Sequence, residues 1–125
     1  MDVVELTRKA VELADRDEKA KQKLEGIKTS ILVVLRNGGE TCISMKVEGG
    51  HMKFIKGRVE NPEFEFNSTK KDFEDLIGGR VSSLMSIIVT KKVKMVKGSW
   101  MDAKKLINTL GGIPEQGRKL LAGKG

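Results

Sequence analysis

The stretch from residue 64 to residue 110 constrains the fold more than any other part of the chain. Phe64 and Phe66 alternate with polar neighbours, which is the period-2 pattern of a half-buried strand. Two apolar segments at helical spacing follow, then a lysine-rich strand and a further helical segment. The apolar helix surface predicted by this order exceeds what one small sheet face needs to cover it.

Two capping signals mark the helices of this stretch. Thr69 is followed three residues later by Asp72, and Ser99 by Asp102, a capping-box pattern with Asp in place of Glu or Gln. We therefore expect helices to begin after Thr69 and after Ser99. The apolar residues at helical spacing between the two caps are Phe73, Leu76, Ile77, Val81, Leu84, Met85 and Ile88.

The N-terminal part of the chain predicts one helix over residues 2 to 25. Asp2 is a suitable cap for its start, and Gly26 for its end. Its apolar stripe is narrow, so we expect this helix to lie over the edge of the domain. Its removal should then cost less than damage to residues 64 to 110. The stripe consists of Val3, Leu6, Ala10, Leu13, Ala20 and Leu24.

Four strands are predicted between this helix and Thr69. The β-branched run from Ser30 to Arg36 is typical of a central strand buried on both faces. Glycine-rich turns join it to strands from Glu40 to Val47 and from His51 to Lys56, which predicts an antiparallel meander. We expect the strand from Glu63 to Asn67 to continue that meander.

The C-terminal part predicts a last strand from Lys91 to Lys97, a helix, and then a stop at the glycine pair 111–112 and Pro114. We expect a single domain over residues 1–125, with the N-terminal helix in 1–26, the sheet and helices in 27–112, and a short basic tail in 113–125 with at most one frayed helical turn. The predicted fold class is α+β, with about five strands in an antiparallel or mixed sheet and helices covering one face.

Charge and composition favour some partners over others. The chain has 24 Lys and Arg against 17 Asp and Glu, a net charge of +7, which favours anionic partners. Five aromatic residues leave few for stacking on nucleic-acid bases. No apolar run approaches the ~20 residues of a membrane span. The single Cys42 fits a reducing compartment, and we expect the cytoplasm.

Catalytic and metal-binding constellations are not apparent. His51 is the only histidine and Cys42 the only cysteine, so neither a His/Cys metal site nor a nucleophile–base–orienter set is indicated. The four Gly-Gly pairs lack phosphate-loop context and are typical of turns and caps. We expect no enzymatic activity, no cofactor and no metal.

The order of these elements resembles the sterol carrier protein type 2 (SCP2) family of lipid-transfer domains over roughly residues 25 to 112. In that family a β-meander leads into a helix with an apolar–x–x–Leu–x–x–Gly signature, which Phe73, Leu76 and Gly79 match. A small-residue and glycine turn then precedes a C-terminal helix. The matching residues there are Gly98, Ala103 and Leu106.

The resemblance implies non-enzymatic binding and transfer of hydrophobic ligands: fatty acids, fatty acyl-CoA or sterol-like lipids. The ligand would occupy an apolar tunnel between sheet and helices. Methionine, used five times within the domain body, suits a cavity that adapts its shape. The predicted lining residues are Met52, Phe54, Phe64, Phe66, Phe73, Ile77, Leu84, Met85, Ile88, Trp100 and Leu110.

Two other functions stay open on the sequence alone: a small basic nucleic-acid-binding module, and a protein-interaction module with a filled core. The lysines at 91, 92, 94 and 97 also have two interpretations. They protect an exposed sheet edge from aggregation, or they contact an anionic membrane surface or the phosphate of an acyl-CoA.

Overall fold

A computed structural model describes residues 2–36, 39–78, 93–99, 101–102 and 112–122. In chain order, the helices and strands in these residues are α1 (Val3–Asp15), α2 (Glu18–Leu24), β1 (Thr29–Arg36), β2 (Glu40–Glu48), β3 (His51–Lys56), β4 (Phe64–Ser68), α3 (Lys70–Ile77), β5 (Val93–Lys97) and α4 (Gly112–Ala122).

The strands form one five-stranded mixed sheet in the order β3-β2-β1-β4-β5. The pairs β1–β2, β2–β3 and β4–β5 are antiparallel, whereas β1 and β4 are parallel. The predicted α+β class with about five strands is therefore confirmed. The predicted meander is correct for β1 to β3.

The expectation that the fourth strand continues the meander is wrong. β4 pairs with the free edge of β1, in the register Ile31 to Phe64 and Val33 to Phe66. The chain reaches that edge at Glu63, whose N–H donates to the Ser30 carbonyl at 3.0 Å. Because β1 is buried on both faces, it needs a strand on each edge to satisfy its backbone hydrogen bonds.

β1 divides the apolar residues into two layers, as its uninterrupted apolar sequence predicts. Ile31, Val33 and Leu35 belong to the main core, on what we call the front face of the sheet. Leu32 and Val34 lie on the opposite, back face, where Val59 covers them.

The loop after β3 folds against the back face through Ser44. The Ser44 hydroxyl donates to the Gly57 carbonyl at 2.7 Å and accepts from the Val59 N–H at 2.9 Å. A fully buried hydroxyl on β2 thus satisfies two backbone groups of the loop and holds Val59 in place.

The N-terminal helix begins as predicted but is divided in two. The Asp2 carboxylate accepts from the Glu5 N–H at 3.0 Å and caps α1. α1 ends at Asp15, and Asp17 begins α2 by accepting from the Lys19 N–H at 3.1 Å. The single helix over residues 2 to 25 is therefore wrong, because one aspartate in a charged run is an N-cap rather than part of a helix face.

The expected position of that helix is also wrong in one respect. α1 does cover the edge strand β3, but it also contacts α3 and α4. Leu6, Ala10, Val11 and Ala14 are fully buried. Two of these side chains are alanines, which are small enough to let α1 approach its neighbours closely. The narrow apolar stripe is therefore deeply buried, and α1 is part of the core.

The predicted basic tail is instead helix α4. Pro114 lies in its first turn, where the backbone N–H has no partner inside a helix and proline is tolerated. Of the residues that predict a stop, Gly112 and Pro114 therefore lie in the first turn of this helix, and Gly111 lies outside the described residues. Ile113 is buried, and α4 contacts both α1 and α3. The helix predicted before the 111–112 glycine pair falls mostly on residues 103–111, outside the described residues.

α4 approaches α3 closely at Gly117. A Cβ at this position would lie 1.9 Å from the Ile77 carbonyl oxygen, which leaves no space for a side chain. The backbone of α4 therefore rests directly on the C-terminal end of α3. α1 and α3 therefore lie against the front face of the sheet, and α4 packs on both of these helices.

Candidate functional site

The predicted lining residues in the described part of the chain converge on one core between the front face and the helices. Phe64, Phe66, Phe73 and Ile77 are each less than a tenth exposed and belong to this core. The others are Met52, which is also buried there, and Phe54, which is half-buried and packs against it. The remaining predicted residues, Leu84, Met85, Ile88, Trp100 and Leu110, lie outside the described residues.

β4 supplies the aromatic centre of this core. Phe64 and Phe66 occupy successive front-face positions, and their rings stack with centroids 6.3 Å apart and planes 4° from parallel. Phe66 is paired with Val33 on one side and Met95 on the other. The alternation that predicts a half-buried strand thus places both rings against the helices.

The chain after β5 passes directly over the Phe64 ring at Gly98. A Cβ on Gly98 would lie 2.6 Å from Phe64 Cδ1, and its φ of +117° disfavours any other residue. This glycine therefore fixes how closely the segment after β5 covers the aromatic centre. It is one of the residues on which the resemblance to the lipid-transfer family depends.

α3 begins directly after β4 because Thr69 caps it. The Thr69 hydroxyl accepts from the Asp72 N–H at 3.1 Å, as the capping pattern predicts. Phe73 and Ile77 then lie one helical turn apart on the buried face. The helix predicted after Ser99 falls mostly outside the described residues.

The larger of two neighbouring grooves lies between the N-terminal ends of α1 and α3, the start of β2 and the end of β3. It has a volume of about 680 Å³. Of the predicted lining residues, Phe54 lines it. The full lining is Asp2, Val3, Val4, Glu5, Arg8, Thr41, Phe54, Lys56, Lys70 and Glu74.

The smaller groove runs along α1 towards its C-terminal end and has a volume of about 290 Å³. Phe54 and Arg8 line both grooves, and Met52 lines the smaller one. Because Phe54 also packs against the main core, it is the predicted residue that connects the core to the surface.

Fixed charges surround the larger groove. The Arg8 guanidinium donates to Glu5 and to Glu12. The hydrogen bond to Glu5 raises the pKa of Arg8, and the same hydrogen bond lowers the pKa of Glu5. The Glu5 N–H lowers the pKa of the Asp2 carboxyl. Each shift favours the charged form, so these three groups act as fixed charges rather than as proton donors or acceptors near neutral pH.

The α1 residues of this groove are absent from the predicted lining, because a helix expected to be an outer cover has no reason to line a site. One signal is present in the sequence: Val3 and Val4 are adjacent, so the apolar surface at the start of α1 is wider than a single stripe. Val4 is half-buried and packs against the main core.

The histidine and the cysteine take part in structural contacts. His51 Nδ1 lies 3.3 Å from Asp15 Oδ1, which also accepts from the Met52 N–H at 2.8 Å and so joins the end of α1 to β3. Cys42 is a half-buried free thiol, 3.8 Å from Glu40.

Within the described ranges, no group of three or more His, Cys, Asp or Glu side chains could hold a metal ion. Across those same ranges, every helix is too short or too polar to cross a bilayer.

Comparison with solved structures identifies the same fold in other proteins. A conserved hypothetical protein of Thermus thermophilus, possibly a sterol carrier protein, superposes with a TM-score of 0.71 at 11% identity, covering 91% of this chain and 85% of its own. A sterol carrier protein 2 crystal structure gives 0.70 at 11% identity, covering 94% and 95%. Palmitated SCP2L2 from Aedes aegypti gives 0.55 at 12% identity, covering 73% and 86%.

Sequence comparison supplies the family. By sequence alone, no curated protein matches the chain. The family model for SCP-2 sterol transfer proteins matches residues 10–111, which include every strand of the sheet, α3 and part of α1. With the fold shared and most of the chain matched, this protein belongs to the SCP-2 sterol transfer family.

Proposed function

We propose that this protein binds and transfers hydrophobic ligands without catalysis, in the apolar region between the front face of the sheet and the helices. The ligands we propose are fatty acids, fatty acyl-CoA and sterol-like lipids. The observation that carries the proposal is the convergence of Phe64, Phe66, Phe73 and Ile77 on one face, in a chain that belongs to a sterol-transfer family. The palmitated Aedes aegypti structure supports an acyl chain as one such ligand.

The length of the ligand should decide whether it binds. Each buried methylene contributes about 0.8 kcal/mol, so about a dozen methylenes contribute on the order of 10 kcal/mol before costs. Association costs about 4–15 kcal/mol in lost translational and rotational freedom. A dozen methylenes therefore offset most of this range, whereas a chain of about three or four methylenes contributes about 3 kcal/mol and does not reach its lower limit.

We place the opening of the binding region at the larger groove. Phe54 packs against the main core and lines the groove, so movement of this one ring would connect the two. Val3 and Val4 give the groove an apolar wall, and Lys56 and Lys70 provide cations at its rim. A chain entering tail-first would leave an anionic headgroup near these lysines.

The test begins with native mass spectrometry of the purified protein and melting curves with increasing palmitate. Ligand at about 100 times its Kd should stabilise the fold by about 2.7 kcal/mol, raising the melting temperature by roughly 10 °C for a domain of this size. A bare mass and an unmoved melting curve would contradict the proposal. Those results would favour a filled core and a protein-interaction role.

A pair of variants then locates the site. Phe66→Asp places a charge within the front-face core and should abolish palmitate binding, whereas Cys42→Ser on the back side of β2 should not change it. Circular dichroism establishes that each variant is folded. Palmitate binding by a folded Phe66→Asp variant at the wild-type level would exclude this location.

A further inference from the structure

β5 carries a bulge that turns one apolar residue outward. Glu65 is paired with Lys97 and Phe66 with Met95, so Val96 is an extra residue on the β5 side. Such a residue leaves the ladder and bends the strand. Val96 is 52% exposed.

Two exposed lysines flank this valine. Lys94 is paired with Asn67 and Lys97 with Glu65, which places both on the back face, away from the helices. Neither lysine forms an ion pair with another residue in the described ranges. Both side chains are exposed on that face.

A second exposed apolar residue follows closely. Met101 is 73% exposed, and in the part of the chain that the structure describes, Val96 and Met101 are the two large apolar residues with high exposure. We call the residues Lys94, Val96, Lys97 and Met101 the β5 surface. It combines cations with aliphatic side chains in one short segment.

Protection of a sheet edge accounts for only part of this surface. Lysines and a bulge both discourage edge-to-edge pairing with another chain. Exposed valine and methionine at the same edge have the opposite effect, because they offer apolar area to any partner. Edge protection therefore accounts for the lysines and the bulge, and the apolar area beside them is what a membrane surface would use.

We propose that the β5 surface docks the protein on an anionic lipid bilayer. The lysines would meet the phosphate and carboxylate groups of the headgroups, while Val96 and Met101 would enter the boundary between headgroups and acyl chains. This inference rests on the proposed function, because a lipid carrier must contact a membrane to load or release its ligand. Aliphatic side chains do not stack on bases, so a nucleic acid fits this surface less well.

The position of β5 relative to the core supports this assignment. Met95 is half-buried, lies opposite Phe66 and packs against the main core. Its neighbour Lys94 lies on the other face of the same strand. One short strand therefore touches both the proposed membrane surface and the proposed ligand region.

The first experiment measures partition onto phosphatidylcholine vesicles with and without phosphatidylserine. Lys94→Glu/Lys97→Glu should weaken binding to the anionic vesicles by at least about 25-fold, since each lysine near such a surface contributes about fivefold and each new glutamate adds repulsion. The matched control is Lys19→Glu/Lys23→Glu, on the exposed side of α2. Both double variants change the net charge by −4, from +7 to +3. The control should lose about threefold at most, through long-range attraction alone.

A second experiment reports the contact without altering the lysines of the β5 surface. In a Cys42→Ser background, an environment-sensitive fluorophore is attached at Val96→Cys or, as the control position, at Lys23→Cys. Anionic vesicles should shift the emission of the Val96→Cys label to shorter wavelength and leave the Lys23→Cys label unchanged. Val96→Ser, which leaves the charge intact, should weaken partition by about three- to fivefold.

The outcomes separate this inference from the proposed function. Loss of vesicle binding with an intact palmitate-induced melting shift in Lys94→Glu/Lys97→Glu supports the β5 surface. Equal losses in both double variants, an emission shift at the α2 label, or no wild-type binding to anionic vesicles would overturn it. Tight binding to a single-stranded oligonucleotide, lost in Lys94→Glu/Lys97→Glu, would also overturn it. Absence of palmitate binding in the wild-type protein would instead refute the proposed function.

Discussion

The two edge strands of the sheet, β3 and β5, differ in what covers them. At β3 a helix covers the strand: α1 packs on it, and the Asp15 carboxylate accepts a hydrogen bond from the Met52 N–H. At β5 the side chains of Lys94, Val96 and Lys97 are exposed. The β3 edge is thus protected from pairing with another chain by the helix packed on it, whereas at the β5 edge lysines and a bulge give that protection. A packed edge stabilises the fold, while a charged edge leaves a surface free for a partner.

The largest difference in stability is expected when one apolar side chain is truncated near each edge. Leu6→Ala, at a fully buried position of α1, should lower the free energy of unfolding by about 2–5 kcal/mol, because it removes packing and leaves a cavity. Met101→Ala, after β5, should change it by about 0.5 kcal/mol or less. Urea unfolding followed by circular dichroism measures both. Equal losses would mean that both edges are packed alike.

A smaller effect is expected at the contact between α1 and β3. Asp15→Ala removes the acceptor of the Met52 N–H and should lower the free energy of unfolding by about 1 kcal/mol. This is less than for a fully buried hydrogen bond to a charged group, because the Asp15 side chain is partly exposed. Asp15→Asn retains an acceptor oxygen and should recover most of that loss. A variant Asp15→Asn as unstable as Asp15→Ala would show that charge, not hydrogen bonding, closes this edge.

The smallest effect concerns pH and the start of α1. The Glu5 N–H lowers the pKa of Asp2 in the folded protein, so this interaction stabilises the fold above the unfolded pKa of about 4. The stabilisation is lost as pH falls through the lower, folded pKa. Asp2→Asn keeps a capping oxygen without the charge, so the variant should be slightly less stable than wild type near neutral pH. Unfolding curves from neutral to acid pH should converge; a constant difference would exclude the charge as its cause.

Local signals in the sequence predict the elements that short-range interactions determine. The caps at Asp2 and Thr69 are confirmed by hydrogen bonds to nearby N–H groups. The alternation of Phe64 and Phe66 predicts the buried face of β4 correctly. The caps depend on contacts within a few residues, and the alternation along β4 marks which side chains share a face whatever covers that face.

Elements that depend on distant partners are not predictable in the same way. The parallel pairing of β4 depends on which edge of β1 is free, and no turn sequence encodes that. The sequence of α4 predicts a tail because its first residues are also helix stops, and its stability depends on α1 and α3. The charged groove lining is unpredictable for a related reason: Lys56 and Lys70 are brought together only by the folded sheet.

The contact between α1 and α4 has a consequence for how the chain folds during synthesis. The hairpins of β1 to β3 join neighbouring segments and should form early. α1 leaves the ribosome well before α4, yet α4 is one of its packing partners and lies beyond the residues that the family model matches. Until α4 emerges, Leu6 and Ala10 lack part of their cover, so we expect the nascent chain to expose this apolar helix to chaperones until α4 has been made.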